Sequence, residues 1–341
     1  MKDNLLIIFG FTLIMFTTSN ANHAQAQYDL DSGFAAGTGH YLGDIGGKEQ
    51  IGRNFVSDLH LGSTRFSSHV FVRSRIHDMV ALRGQLGIVQ IAGDDAVSPM
   101  PRGLRNIHFR SFINELSVRA EVSVWNQPFL TRRTSIVQMG LDTYLTLGLT
   151  GFTHAPQARL DRDAAEYHFV RGNISTNPNL FDYDRWYELR RVQTEPESYR
   201  KASLGFPVGG GVAMTINNDL RIGLEFVWNL TLTDYLDDVS TTYNDPSNLT
   251  DLGVVLSAPW SAELYAQLDN SPRDGDEIDA RLDYREGRIR GNPNKNDTYG
   301  TLQVTVSKVL KTKSSFATTN YSNAGRGNFG GTKHRAFRAK F

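Results

Sequence analysis

Leu220-Arg221-Ile222-Gly223-Leu224-Glu225-Phe226-Val227-Trp228-Asn229-Leu230-Thr231-Leu232 sets an apolar or small lipophilic side chain at every even position, against Arg221, Gly223, Glu225, Asn229 and Thr231 at odd ones. Successive side chains of an extended chain point to opposite faces, so this period of two marks a β-strand with one apolar and one polar face. The run exceeds the about 5 to 6 residues usual in globular sheets. It suits a tilted strand crossing a bilayer, about 9 to 11 residues long, with an extension. A second segment sets Leu116, Val118, Ala120, Val122 and Val124 against Glu115, Ser117, Arg119, Glu121 and Ser123.

Outward from these two, strands are expected over 32–42, 64–74, 80–92, 136–152, 199–214 and 298–309. The total is eight, an even number as bacterial outer-membrane barrels require. Connections 75–79, 126–134 and 217–218 are short, while 43–63, 93–110, 153–198 and 234–297 are long, and the two kinds alternate strictly. The expected fold is therefore all-β: an eight-stranded antiparallel transmembrane β-barrel with long extracellular loops and short periplasmic turns. Arg83, Glu115, Arg119, Glu121, Asp142, Lys201, Arg221, Glu225 and Lys308 fall on its polar face. In a closed barrel of this size they point inward, pair in a hydrogen-bonded network and leave no through-channel. In an open sheet the same face would be solvated. Tyr41, Trp125, Trp228 and Tyr299 lie near strand ends, where aromatic girdles occur.

The chain of 341 residues carries 36 Lys+Arg against 36 Asp+Glu, is 40% hydrophobic and contains no cysteine. Zero net charge argues against a bulk nucleic-acid binder. Missing cysteines exclude thiol catalysis, disulfides, zinc ribbons and a lipid-modified cysteine anchor. Lys2, an apolar run over 5–16 and Ala24-Gln25-Ala26 read as a secretory signal peptide over 1–26, cut before Gln27. The alternative, a membrane-anchoring helix, is opposed by a run shorter than the roughly 18 to 20 residues a span needs. Residues 27–310 are assigned to the barrel, and 311–341 to a basic, flexible periplasmic tail with seven Lys and Arg and no acid. Residues 234–297 hold 14 acidic and 6 basic residues, a net of −8.

Chemistry-bearing patterns are sparse. Of nine histidines, His23 leaves with the signal and the rest make no H-E-x-x-H or related metal spacing. His77-Asp78 falls in a short turn, where Asp is ordinary. His69 is expected to point into the barrel, with His108 and His154 near loop bases, an arrangement open to a lipid-hydrolysing serine site, yet no G-x-S-x-G accompanies it. Asp274, Asp276, Glu277 and Asp279 are calcium-type ligands without EF-hand spacing, so a solvated acidic loop is the competing account. Gly209-Gly210-Gly211 is expected to allow close packing of a barrel strand. No catalytic residue, cofactor or metal site is assigned.

Tyr41-Leu42-Gly43-Asp44-Ile45-Gly46, Ala81-Leu82-Arg83-Gly84 followed by Gly93-Asp94-Asp95-Ala96, and Leu232-Thr233-Asp234-Tyr235-Leu236-Asp237-Asp238-Val239-Ser240-Thr241-Thr242-Tyr243 resemble the PorG family of Bacteroidota outer-membrane proteins. Arg290-Gly291-Asn292-Pro293 fits the same pattern. The motifs run in the family's order from about Tyr28 to Leu310, and the block carrying Asp234, Tyr235, Asp237, Asp238 and Tyr243 is the most specific. The 153–198 loop and the basic tail depart from the family.

The resemblance implies a non-enzymatic component of the type IX protein secretion apparatus, tied in gliding bacteria to motility. It further implies association with a periplasmic ring of a lipoprotein and its partner, of the PorK/PorN type. Lys333, Arg335, Arg338 and Lys340 are candidates to contact an acidic periplasmic surface or anionic lipid headgroups. Two other readings stay open at this point: an outer-membrane lipid-modifying enzyme, and an OmpA-like structural or adhesion barrel.

Overall fold

Strand register closes the sheet on itself. A computed structural model describes residues 29–45, 64–77, 79–95, 105–127, 139–217, 219–262 and 288–310. The strands are β1 (Asp29–Leu42), β2 (Arg65–His77), β3 (Val80–Asp94), β4 (His108–Gln127), β5 (Met139–Thr153), β6 (Pro156–Arg159), β7 (Trp186–Glu188), β8 (Ala202–Ile216), β9 (Leu220–Thr231) and β10 (Thr298–Leu310). Each long strand pairs antiparallel with its neighbours in the order β3-β2-β1-β10-β9-β8-β5-β4, and the pairing of β3 with β4 from Val80↔Val122 to Asp94↔His108 completes the ring. All eight expected strands are present, extended or trimmed by a few residues at their ends. Closure gives every wall strand two partners, which removes the exposed edges that an open sheet presents.

Alternation sorts the side chains. On β5, Leu145, Leu147 and Leu149 face outward and stay exposed (64% for Leu149), joined by Leu116, Val118, Leu204, Leu224 and Val304 from other strands. An apolar belt this continuous exceeds what a water-soluble monomer leaves uncovered; it is the lipid-facing surface of a membrane barrel. Inside, the glycines leave room for others: a Cβ on Gly211 would stand 2.7 Å from the Tyr144 hydroxyl and 2.8 Å from the Leu224 carbonyl oxygen. That close approach accounts for Gly211, as the Phe226 carbonyl oxygen, which a Cβ at that position would overlap, does for Gly209.

The interior is filled in layers. Arg73, Arg83 and Arg119 are cross-strand partners on β2, β3 and β4, three like charges side by side. Glu121 and Glu225 interleave them: Arg73 donates to Glu121 at 2.5 Å, Arg83 to Glu225 at 2.9 Å and Arg119 to Glu225 at 2.9 Å. Toward the short turns, Arg73 also reaches Asp31 (3.1 Å) and Arg221 reaches Asp142 (2.9 Å). Toward the long loops, Glu115 accepts from Tyr299 (2.5 Å), lies 2.8 Å from the His69 Nε2, and accepts from Gln85 (3.2 Å). Seven of the nine charges expected inside from the sequence, Arg83, Glu115, Arg119, Glu121, Asp142, Arg221 and Glu225, are buried here. Above them Ile45, Val89, Ile91, Ile107, Phe109, Ile113 and Phe152 form an apolar layer.

Four expectations need correction. Lys308 is exposed and shares the outward parity of Leu302, Val304 and Val306, so it lies on the lipid-side face at the short-turn end, a position where a long lysine stem lets the charged head reach water. Lys201 is exposed just ahead of β8. Tyr41 and Tyr299 are not girdle residues: their hydroxyls are bonded inside, to Asp237 and Glu115. Trp125 is exposed, next to a register shift between Ser123 and Trp125, and Trp228 takes the outward parity of β9, so these two do lie on the outer face. The 1–26 and 311–341 segments, the tail residues Lys333, Arg335, Arg338 and Lys340, and the Asp274 to Asp279 cluster lie outside the described residues.

The long connections are more ordered than a loop reading suggests. Helices α1 (Arg162–Val170), α2 (Leu189–Val192) and α3 (Asp251–Ser257) join the antiparallel β6–β7 pair around a separate small core of Ala158, Leu160, Ala165, Ile174, Leu189 and Val255. Asp161 and Thr250 cap α1 and α3 by accepting from the backbone N–H of Asp163 and Gly253.

Candidate functional site

The 232–243 block is the piece the barrel mouth is built around. Leu236 and Val239, both fully buried, point down and complete the apolar layer beneath. Their placement leaves the intervening polar residues at the rim, where each must find a partner out of water. The Asp237 carboxylate accepts from the backbone N–H of Val239 at 2.9 Å, and Asp297 from that of Leu236 at 3.0 Å. Both also lie against the Tyr41 hydroxyl, at 2.5 and 2.9 Å. A phenol has one proton to give, so one of these contacts is made by a protonated carboxyl. Burial first, then the neighbouring carboxylates, pushes both groups well above the ordinary carboxylate range.

Beside this pair sits the second half of the cap. Asp238 adopts the left-handed backbone conformation (φ 74°), which turns its carboxylate toward Thr194, Tyr199 (2.7 Å) and Arg290 (3.5 Å). Glu195 accepts from the backbone N–H groups of Ser240 and Thr241, each at 2.9 Å, and from Arg290 at 3.1 Å. The Arg290 guanidinium also donates to the Asp238 carbonyl oxygen. Arg105 grips Asp95 with two nitrogens (2.9 and 3.1 Å) and donates to the carbonyl oxygens of Arg290 (2.6 Å) and Asp44 (2.5 Å). Asp44 in turn accepts from the N–H of Asn292 at 2.6 Å. Motif fragments 44–45, 93–95, 232–243 and 290–292, scattered in sequence, thus meet in one buried polar assembly. Tyr243 is buried within it near Arg290, and Tyr235 stacks on Tyr199 at 4.4 Å.

Asp234 is the least settled member. It is 7% exposed, and Ser240 is a hydrogen-bonding neighbour that favours its charged form. Burial, with Asp44 and Glu195 adding to it and Ser240 opposing, pushes it up to about 7. A carboxyl raised in the folded state stabilises fully below its ordinary 3.8 and loses that stabilisation as pH rises through about 7. Asp238, up to about 6 by burial and held down by Arg290, works in the same direction. Protection of 232–243 against hydrogen exchange, taken relative to free amides at the same pH, is therefore expected to fall from pH 5 to 8. Asp234→Asn should flatten that slope and tighten the cap by up to about 4 kcal/mol, less where water reaches the group. An unchanged slope in Asp234→Asn would remove Asp234 from this account.

The histidines resolve individually. His69 is interior, bonded to Glu115 and Gln303. His108 accepts from the Arg159 N–H at 3.3 Å. His154 is packed against Phe152 and Tyr199, with neither ring nitrogen hydrogen-bonded, and burial lowers it to about 4, so it is neutral at physiological pH. Among the described residues neither His108 nor His154 is hydrogen-bonded to a serine, and no cluster of His, Cys, Asp and Glu is arranged to hold a metal ion. Sequence reading missed Arg73, Asp31, Gln85, Gln303, Arg105 and Glu195. Parity would have found the first four, whereas Arg105 and Glu195 act through loop contacts.

No protein-family model matches the chain, and no curated protein matches it. Solved structures similar to it include Ail, the attachment invasion locus protein of Yersinia pestis, in complex with the heparin analogue sucrose octasulfate. That match has 7% identity, covers 83% of this chain and 99% of that one, and has a TM-score of 0.31. Another is Neisserial surface protein A, with 9% identity, coverage of 84% and 100%, and a TM-score of 0.30.

Proposed function

We propose that this chain is a non-enzymatic outer-membrane barrel that works as a membrane-held docking subunit of the type IX protein secretion apparatus. The reading is carried by the rim assembly: most of the stretches that resemble the PorG family, all but Ala81 to Gly84 on β3, converge on the cap. A lumen filled by paired arginines and carboxylates leaves the surfaces as the working parts. Long loops of such barrels face outward and short turns face the periplasm. A periplasmic ring of the PorK/PorN type then meets the short-turn end, with Lys333, Arg335, Arg338 and Lys340 of the tail as contacts for an acidic surface.

A second reading, an OmpA-like structural or adhesion barrel, is favoured by the folded module over 154–201, which places its own core and helices at the long-loop end. Gene deletion separates the two. The secretion reading expects loss of type IX cargo export, and recovery of ring proteins with the full-length chain from detergent-solubilised membranes. Truncation after Leu310 is expected to weaken that recovery. Intact export after deletion would leave the structural barrel as the standing account.

A further inference from the structure

The outer face of the wall does not end where the apolar belt ends. On β4 the outward row runs upward from Val118 and Leu116 through Asn114 to exposed Phe112, and the next outward residue, about 7 Å on, is Arg110. There β6 takes over from β5 as the neighbour of β4, with Arg110 opposite Gln157, and β7 adds Trp186 opposite Arg159. Directly opposed residues share a face. Arg110, Gln157, Arg159 and Trp186 therefore extend the lipid-facing surface at headgroup height.

Their geometry is that of an open clamp. The Arg110 guanidinium lies 3.6 Å from the centroid of the Trp186 ring and 5.8 Å from that of Phe112, while Arg159 lies 5.7 Å from the same Trp186 ring. Two cations thus share one aromatic platform. Arg110 has only a neutral acceptor among the described residues, Gln157 Oε1 at 3.3 Å. Arg159 meets Asp184, a fully exposed carboxylate, at 3.2 Å and the Tyr183 carbonyl oxygen at 3.3 Å. Glu188, opposite Gln157, is engaged by Arg190 and Arg191. Guanidinium forks match phosphate oxygens bidentately, and Trp settles at the boundary between acyl chains and headgroups.

We propose that Arg110 and Arg159, spaced by Trp186, bind a phosphate group on the headgroup of an anionic lipid in the leaflet at the long-loop end. The site is independent of the secretion role. Arg110 is pre-positioned by its ring contacts, and the phosphate supplies a counter-charge to Arg110 and a second, less exposed one to Arg159, whose partner Asp184 is fully exposed. The phosphate also ties the β6–β7 strand pair, and with it the cap, to the membrane plane.

The test uses the full-length protein in phosphatidylcholine nanodiscs doped with bisphosphorylated lipid A, with its dephosphorylated counterpart and inorganic phosphate as further arms. Native mass spectrometry is expected to show retention of the phosphorylated lipid, reduced about tenfold or more in Arg110→Gln/Arg159→Gln. Arg110→Lys/Arg159→Lys should fall between, since charge is kept and the fork is lost. Arg185→Gln, beside Tyr187, should match the parent. Arg159→Gln alone, at an exposed position, keeps the test readable should the double variant fail to insert. Equal retention of the dephosphorylated lipid, equal retention by the Gln variants, or displacement by inorganic phosphate alone would overturn the proposal.

Discussion

Replacement of Arg290 by Met is expected to release the cap and leave the barrel standing. Arg290 is 1% exposed, and its guanidinium is the cation shared by Glu195 and Asp238. Methionine removes the charge and leaves both carboxylates buried without it, a change that costs about 3 to 5 kcal/mol in comparable buried pairs. The loss falls on a cap held by hydrogen bonds between loop segments and not by a strand ladder. The Arg290 and Gly291 N–H groups bond to Thr241 at 2.8 and 3.1 Å, and the neighbouring Thr242↔Ile289 bridge is isolated. Barrel ladders run through separate strands and do not depend on it. Hydrogen exchange over 232–243 and 288–297 should accelerate by two orders of magnitude or more, while exchange in β3 and β4 stays as it was. Glu195→Gln combined with Arg290→Met should recover part of the loss, because one of the orphaned charges is gone. Exchange in the cap that changes less than about tenfold would mean that Leu236 and Val239, not the ion pairs, hold it.

Period-two alternation made the barrel legible because closure forces a polar side chain inward and an apolar one outward at nearly every step. It failed where a strand breaks its own pattern. On β2 an aromatic, Phe71, is buried inside while Ser68 faces out, so the inward row is read from the sequence only at His69, and Arg73, which shares its parity, is passed over. Tyr299 was readable: it has the odd parity of Thr301, Gln303 and Thr305, which all face in, and Lys308 has the even parity of the lipid face. An aromatic ring near a strand end fits a girdle equally well, and composition alone does not choose. Within the long connections, Asp161 ahead of Arg162-Asp163-Ala164-Ala165-Glu166 and Thr250 ahead of Asp251-Leu252-Gly253 are helix starts that a capping scan finds. What no local pattern contains is the convergence of Asp44, Arg105, Glu195, Asp238 and Arg290. Those five come from four separate connections, and the strand register alone brings them together.

Glu225→Ala is the substitution expected to cost the barrel itself the most. Arg83 and Arg119 face each other directly across β3 and β4, and only interleaved carboxylates make that placement tolerable. Glu225 takes one guanidinium on each oxygen, at 2.9 Å, and the Tyr144 hydroxyl at 2.8 Å. Alanine leaves two opposed cations and a phenol without their acceptor, and a membrane-embedded interior offers little water in exchange. Breaking a buried pair from one side costs about 3 to 5 kcal/mol, and two guanidiniums are affected here, so the upper part of that range is expected. Unfolding in urea from detergent micelles should shift to lower denaturant. Glu225→Gln keeps the shape and an acceptor but not the charge, and should lie between the two. Arg83→Met added to Glu225→Ala should cost less than the sum of the single changes, since it removes one of the two repelling cations. Strict additivity would show that Arg83 and Glu225 do not act on each other, and that Glu121, 3.5 Å from Arg83, neutralises that arginine instead.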